Sequence, residues 1–214
     1  MSYRENIEQL SAHIKAHFAT APKCHDWDHT ERVLHNALKI QETEGGCREI
    51  IEVAALMHDY ARPEEMESKG RLCHAAAGAE LTRALLPKFG FSDSTFIEHI
   101  AQCVLCHRYR NNHIPQTIEA KIIFDADKLD SIGAIGVGRA FHFAGRFAAR
   151  VHNTKEDAVN STSYSENDSA YREFLVKLHK IHEKLLTKAG RQMGEERHIY
   201  MLEFFDQLNK EVYG

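Results

Sequence analysis

Proline and glycine are scarce in this chain of 214 residues, at four and twelve, so it lacks the punctuation that a turn-rich β architecture needs. Charge of one sign is also missing, because 27 Lys and Arg stand against 31 Asp and Glu, a formal net charge of -4. That balance provides no global basic field, and neither a nucleic-acid nor a membrane partner is expected. No apolar run approaches ~18 residues, and residues 1–10 show no basic segment ahead of an apolar one. Neither a membrane span nor an export signal is predicted, and the expected location is the cytoplasm. The five cysteines are too few and too odd in number for a disulfide scaffold, so reduced thiols are expected. What the chain does contain, 43% hydrophobic and 27% charged residues, is the composition of a folded globular protein.

Helical periodicity runs through most of the sequence and predicts an all-α fold in a single domain over residues 1–214. Ile7, Leu10, Ile14 and Phe18 share one face, as do Val33, Ala37 and Ile40 behind a start signal at Asp26–Thr30, with Gly45 and Gly46 as the stop. A third helix is expected over about 47–60, with Pro63 marking its end or the loop beyond, and a fourth over about 74–88. Ser92 and Asp93 can cap a fifth, and a sixth carries Ile122, Ile123 and Leu129. Residues 131–150 are glycine-rich but helix-like. The polar stretch 153–169 lacks apolar periodicity and reads as a flexible loop, before helical spacing returns from about Tyr171 to Leu185 and again from Ile199 to Leu208.

Three polar strings interrupt this pattern. His25-Asp26-Trp27-Asp28-His29 stands at a helix start, where aspartate can equally serve as a cap. His58-Asp59 follows the apolar run 53–57, where two polar groups leaving a buried helix need partners. Asp125-Ala126-Asp127-Lys128-Leu129-Asp130 follows the apolar run 122–124. Imidazole nitrogen and carboxylate oxygen together suit a divalent ion such as Mn, Mg, Ni, Co, Fe or Zn, with positions left open for water or substrate. Cys103-Val104-Leu105-Cys106-His107 matches a haem-attachment spacing, but it lies inside an apolar periodic helix without an export signal, so buried thiols are the preferred reading.

The order His29, His58-Asp59, Asp127, with its flanking His25-Asp26-x-x-His29-x-x-Arg32-Val33 and Asp125-Ala126-Asp127-Lys128-Leu129-Asp130-Ser131-Ile132-Gly133, resembles the HD-domain superfamily of metal-dependent phosphohydrolases, in its bacterial nucleotide-hydrolase branch. The resemblance implies an HD-domain helical bundle in which His29, His58, Asp59 and Asp127 hold one divalent metal ion. It further implies hydrolysis of a phosphate ester or anhydride in a small phosphorylated substrate, a nucleotide by inheritance from the family. A cyclic-nucleotide phosphodiesterase and a non-catalytic metal-dependent sensor share the ligand set and stay open as alternatives. Within this frame Asp59 can accept a proton and Glu64 or Glu65 can orient water. Arg32, Arg62, Lys69, Lys128 and Arg139 are candidate phosphate partners, and His74 and His107 can reach the substrate or a second metal. By helical phase Asp130, rather than Asp125, returns to the side of Asp127, to support a ligand from behind or to pair with Arg139 as a structural bridge.

Overall fold

The computed structural model describes residues 3–20, 26–68, 71–108 and 113–214. His25 and Lys69, named above, lie outside them. Among the described residues eleven α-helices and several 3-10 turns form, with no strand, so the all-α expectation holds. The chain divides into two compact units, Met1–Asp127 and Lys128–Gly214.

The first unit contains α1 (Arg4–His17), α2 (Trp27–Glu44), α3 (Arg48–Met57), α4 (Arg62–Glu67), α5 (His74–Leu85), α6 (Ser94–Cys106) and most of α7 (Ile118–Leu129). Helix α2 begins where the Asp26 side chain accepts the His29 N–H, and ends at Gly45, whose φ of +78° suits a residue without a Cβ. Helix α6 begins in the same way on Asp93, which accepts from Thr95 and Phe96. Every residue from Ile50 to Met57 is buried, so α3 is the central element rather than an amphipathic surface helix. It packs against α1, α2 and α6, and α5 packs against α6. Leu10, Ile14, Val33, Ile40, Leu56, Met57 and Ile100 of these helices are almost fully buried, as is Ile122 of α7. The third helix stops at Met57 rather than at residue 60, and Pro63, expected at its end or in the loop beyond, stands in the first turn of the short α4, where its missing N–H has no partner to lose.

The second unit contains α8 (Gly133–Gly145), α9 (Lys155–Asn160), α10 (Ala170–Val176) and α11 (Lys188–Tyr213). Helix α8 packs on α10 and α11, and aromatic rings fill the space between the latter two: Phe174 stacks on Phe205 with centroids 4.5 Å apart, and Tyr171 lies 5.5 Å from Phe205. The helix expected from Tyr171 to Leu185 is broken at Lys177 and continues as two 3-10 turns, Leu178–Lys180 and His182–Lys184. Leu178, Ile181 and Leu185 stay buried because spacings of three and four residues can be met by a succession of tight turns as well as by an α-helix. The stretch 153–169 carries α9, and its polar residues bond to one another. The Ser169 hydroxyl donates to Asn153 Oδ1 at 2.6 Å, Asn153 Nδ2 donates to the Asn167 carbonyl at 2.9 Å, and the Tyr164 N–H donates to Asp168 at 2.6 Å. Polarity that reads as an absence of core thus supplies the segment's own fastening.

Two glycines of α8 separate the effect of space from that of helix propensity. A Cβ on Gly136 would run into the Ser131 carbonyl, whereas one on Gly138 would meet nothing within 4 Å. Gly136→Ala is expected to lower stability by about 1–3 kcal/mol through overpacking. Gly138→Ala should leave stability unchanged or raise it by up to about 1 kcal/mol. Chemical denaturation of both variants checks the pair, and equal effects would show that the α8 start is not packed as described.

Candidate metal centre

The polar cluster of the first unit is assembled from helix ends. His29 lies in the first turn of α2, positioned by the Asp26 cap, and is buried. His58 follows directly on the last residue of α3 and is fully buried. Its Nδ1–H donates to the Ala55 carbonyl at 2.7 Å, one of the carbonyls that the end of α3 leaves without a helical partner. That bond fixes the tautomer, so a bare lone pair on Nε2 faces inward. Burial, outweighing the Asp59 charge, pushes the His58 pKa down to about 4, which keeps the ring neutral near pH 7.

The neighbours of that lone pair are further donor atoms. His58 Nε2 lies 3.2 Å from His29 Nε2 and 3.9 Å from Asp59 Oδ2, while His29 Nε2 lies 3.6 Å from both Asp59 Oδ2 and Asp127 Oδ1. Two imidazole nitrogens at this separation need a proton or a cation between them, since two lone pairs facing each other repel. Asp127 stands near the end of α7, and Asn36 of α2 bonds to the neighbouring Ala126 carbonyl at 3.3 Å, tying α7 to the helix that carries His29. The Asp127 side chain is 21% exposed against 1% for His29 and 5% for Asp59, so the cluster opens to solvent on its side. His29, His58 and Asp59 form a group that can hold a metal ion.

Asp59 turns its other oxygen to a second group. His74, the first residue of α5, brings Nε2 to 3.2 Å from Asp59 Oδ1, and His107, just past the end of α6, brings Nε2 to 3.6 Å from the same atom. The two nitrogens lie 3.1 Å apart. His107 Nδ1–H donates to the Val104 carbonyl at 2.6 Å, and burial lowers its pKa. His74 Nδ1–H donates to Glu65 Oε2 at 2.8 Å. Arg62 Nη1 reaches the same oxygen at 2.7 Å, and so lies beside the ring, while Arg108 Nη1 reaches Glu65 Oε1 at 2.5 Å. Burial raises the Glu65 pKa, but His74, Arg62 and Arg108 outweigh it and hold the carboxyl below its ordinary range.

The remaining sequence-named residues take distinct places. Glu65, expected to orient water, has both oxygens engaged by His74, Arg62 and Arg108, and Glu64 is exposed. Arg32 is half-buried one turn beyond His29 on α2. Arg62 lies between Glu65 and Asp59, 3.8 Å from Asp59 Oδ2. Lys128 and Arg139 belong to the second unit, where Arg139 donates to Asp130 at 2.6 Å, the bridge weighed above as an alternative. Asp125 is fully buried. Arg108 carried no sequence signal, because its contact with Glu65 joins positions 43 residues apart. Cys103 and Cys106 are the buried thiols expected, and burial, aided by Glu119 and Cys106, pushes Cys103 up to about 12.

A fold with His29, His58-Asp59 and Asp127 gathered at helix ends is that of an HD-domain hydrolase, and the HD-domain family model matches residues 26–132. The chain belongs to the HD-domain family. It is 31% identical to the Bacillus subtilis (strain 168) protein YpgQ, covering 100% of this chain and 97% of YpgQ. The crystal structure of YpgQ in complex with ADP is similar with a TM-score of 0.74 and 29% identity, over 100% of this chain and 98% of that one. An HD-superfamily hydrolase from Bacillus thuringiensis is similar with a TM-score of 0.77 and 29% identity, over 99% and 98% of the two chains. Among the described residues no helix is long and apolar enough to cross a membrane.

The neutral burial of His58 has a pH signature. In the unfolded chain His58 titrates near 6.5 and in the folded chain near 4, so the unfolded state takes up the proton first. In metal-stripped protein this contribution is complete above pH 6.5 and is lost as the pH falls toward 4, to a maximum of about 3 kcal/mol. The thermal midpoint of the metal-free wild type should therefore fall more steeply over this window than that of His58→Gln. Parallel profiles would show that His58 is not buried as a neutral ring.

Proposed function

We propose that this protein is a metal-dependent phosphohydrolase that cleaves a phosphate ester or anhydride of a nucleotide, with His29, His58, Asp59 and Asp127 as ligands of one divalent ion. The observation that carries the reading is the group of His29, His58 and Asp59 donor atoms, with the two imidazole nitrogens 3.2 Å apart, and Asp127 Oδ1 3.6 Å from His29 Nε2 on its more exposed side. This donor set fits a divalent transition metal. Such an ion supplies Lewis acidity to a phosphoryl oxygen and makes water acidic enough to act as a nucleophile near neutral pH.

The chain's own residues supply the rest. Asp59 and Asp127 bring negative charge to the cation, and Asp127, the more exposed of the two, borders the side from which substrate and water enter. Asp59 is the group we assign to take the proton released by the attacking water. Glu65 acts behind His74, holding its ring by the Nδ1–H bond, rather than on the water. Arg32, three residues past His29 on the same helical face, is the cation we assign to the phosphate oxygens. The ADP bound to YpgQ supports a nucleotide as substrate.

Metal-stripped protein reloaded separately with Mn, Mg, Co, Ni and Zn should hydrolyse at least one class among nucleoside mono-, di- and triphosphates and cyclic nucleotides, with phosphate and pyrophosphate both measured. Asp127→Asn is expected to reduce kcat/KM by roughly 100-fold or more, beyond the 10–100-fold typical of groups behind a ligand, with the fold retained. Exposed Glu64→Gln should leave turnover unchanged. Saturable nucleotide binding without turnover under every metal would replace the hydrolase reading with that of a sensor.

A further inference from the structure

The helix that carries Asp127 ends two residues later, at Leu129, where the last carbonyls have no donor within the helix. The carbonyls of Lys128, Leu129 and Asp130 are each met by a side chain of the second unit. The Ser131 hydroxyl donates to Lys128 at 2.6 Å, Arg139 Nη1 to Asp130 at 3.1 Å, and Arg197 Nη1, from α11, to Leu129 at 2.5 Å. Arg197 is the costly member of this set, because it is half-buried and burial lowers its pKa, with Asp130 and Glu196 opposing the shift. A neutral donor can cap a carbonyl without that cost. What the arginine adds is reach across 68 residues of sequence and a cation at the negative end of a helix dipole. Its stem is held from behind by the start of α8. A Cβ on Gly133 would stand 2.9 Å from Arg197 Cγ and 3.0 Å from its Cβ, and the φ of +74° also favours glycine there.

We propose that Arg197 is a positioning residue for Asp127, fixing the last turn of α7 so that Asp127 Oδ1 stays directed at the metal centre. This rests on the assignment of Asp127 as a ligand under the proposed function. Of the four ligands assigned there Asp127 is the least enclosed, with a side chain 21% exposed against at most 5% for the others. Its aim therefore depends more than theirs on the helical turn that carries it. Helix ends open before helix interiors do, and an opened turn would carry the carboxylate away from His29 while leaving the other three ligands in place. Arg197 acts through the Leu129 backbone on that same turn. The bond between Arg139 and Asp130 fastens the residue that follows, at 2.6 Å to Asp130 Oδ2.

The test titrates the metal-stripped full chain with Mn(II) and reads binding from the loss of the free-ion signal in electron paramagnetic resonance. Arg197→Met keeps an apolar stem against Gly133 and removes the donor, and should weaken Mn(II) binding by roughly 10–100-fold. Arg197→Lys, which keeps the charge and a single donor centre, should fall between Arg197→Met and wild type. In an Asp127→Asn background Arg197→Met should weaken binding no further, because the carboxylate it positions is gone. Phe174→Leu, chosen to lower the thermal midpoint by loosening the second unit at its aromatic cluster, should bind Mn(II) as wild type does. Three results overturn the positioning role: wild-type affinity in Arg197→Met, the same loss with and without the Asp127 carboxylate, or an equal loss in Phe174→Leu. Each leaves the proposed function standing as long as Asp127→Asn alone weakens binding. Wild-type affinity in Asp127→Asn overturns the ligand assignment and the positioning role together. If Arg197→Met does not fold, Arg197→Lys takes its place in both backgrounds and the same outcomes decide.

Discussion

A carboxylate buried to within a few per cent of complete enclosure has to be met by groups that replace the water it has lost. In this protein that carboxylate is Asp59, 3% exposed, with two histidines facing each of its oxygens and Arg62 beside it. The remaining features of the first unit follow from holding these groups still. The central helix α3 is apolar throughout Val53–Met57 and delivers His58 and Asp59 into the interior only because it stops just before them. Had it continued to residue 60, as its periodicity suggests, the His58 ring would have lost the unpaired Ala55 carbonyl that sets its tautomer.

Helix termini solve two problems at once here. The last carbonyls of α3 and α6 have no helical donor, and a histidine just past the end can satisfy one of them with Nδ1–H. The same bond leaves Nε2 as an acceptor, which is the state a metal ligand needs. The cost is concentrated in the metal-free protein, where buried imidazoles crowd two by two. A bound ion stabilises the folded state by mass action, and an assembly of this kind trades metal-free stability for affinity. The Glu65, Arg62 and Arg108 cluster serves the same end, since each arginine offsets burial of a carboxylate that contacts His74.

The second unit is governed by packing. Its aromatic cluster joins Tyr171, Phe174 and Phe205, and its polar fastening runs through Asn153, Ser169 and Asp168, which also accepts from Arg172. Residues in the left-handed region, Ala148 and Tyr164, occur here, one just past the end of α8 and one within the segment bonded through Asp168.

The helices, the caps at Asp26 and Asp93, and the placement of His29, His58-Asp59 and Asp127 at polar breaks were legible from the sequence, because each depends on interactions within a few residues, where spacing reports directly on structure. The same locality explains the failures. An apolar spacing of three or four fits α-helix and successive 3-10 turns alike around Leu178 and Ile181, and Pro63 can close one helix or open the next. No local rule relates His74 to His107, Glu65 to Arg108, or Asp59 to either pair, since 33 and 43 residues separate the partners of the first two. Those meetings depend on how α5 packs on α6 and α6 on α3. Tertiary structure alone decided that Glu65 meets His74, Arg62 and Arg108 and that Asp59 faces four imidazoles, because helix packing sets the direction in which each helix end points.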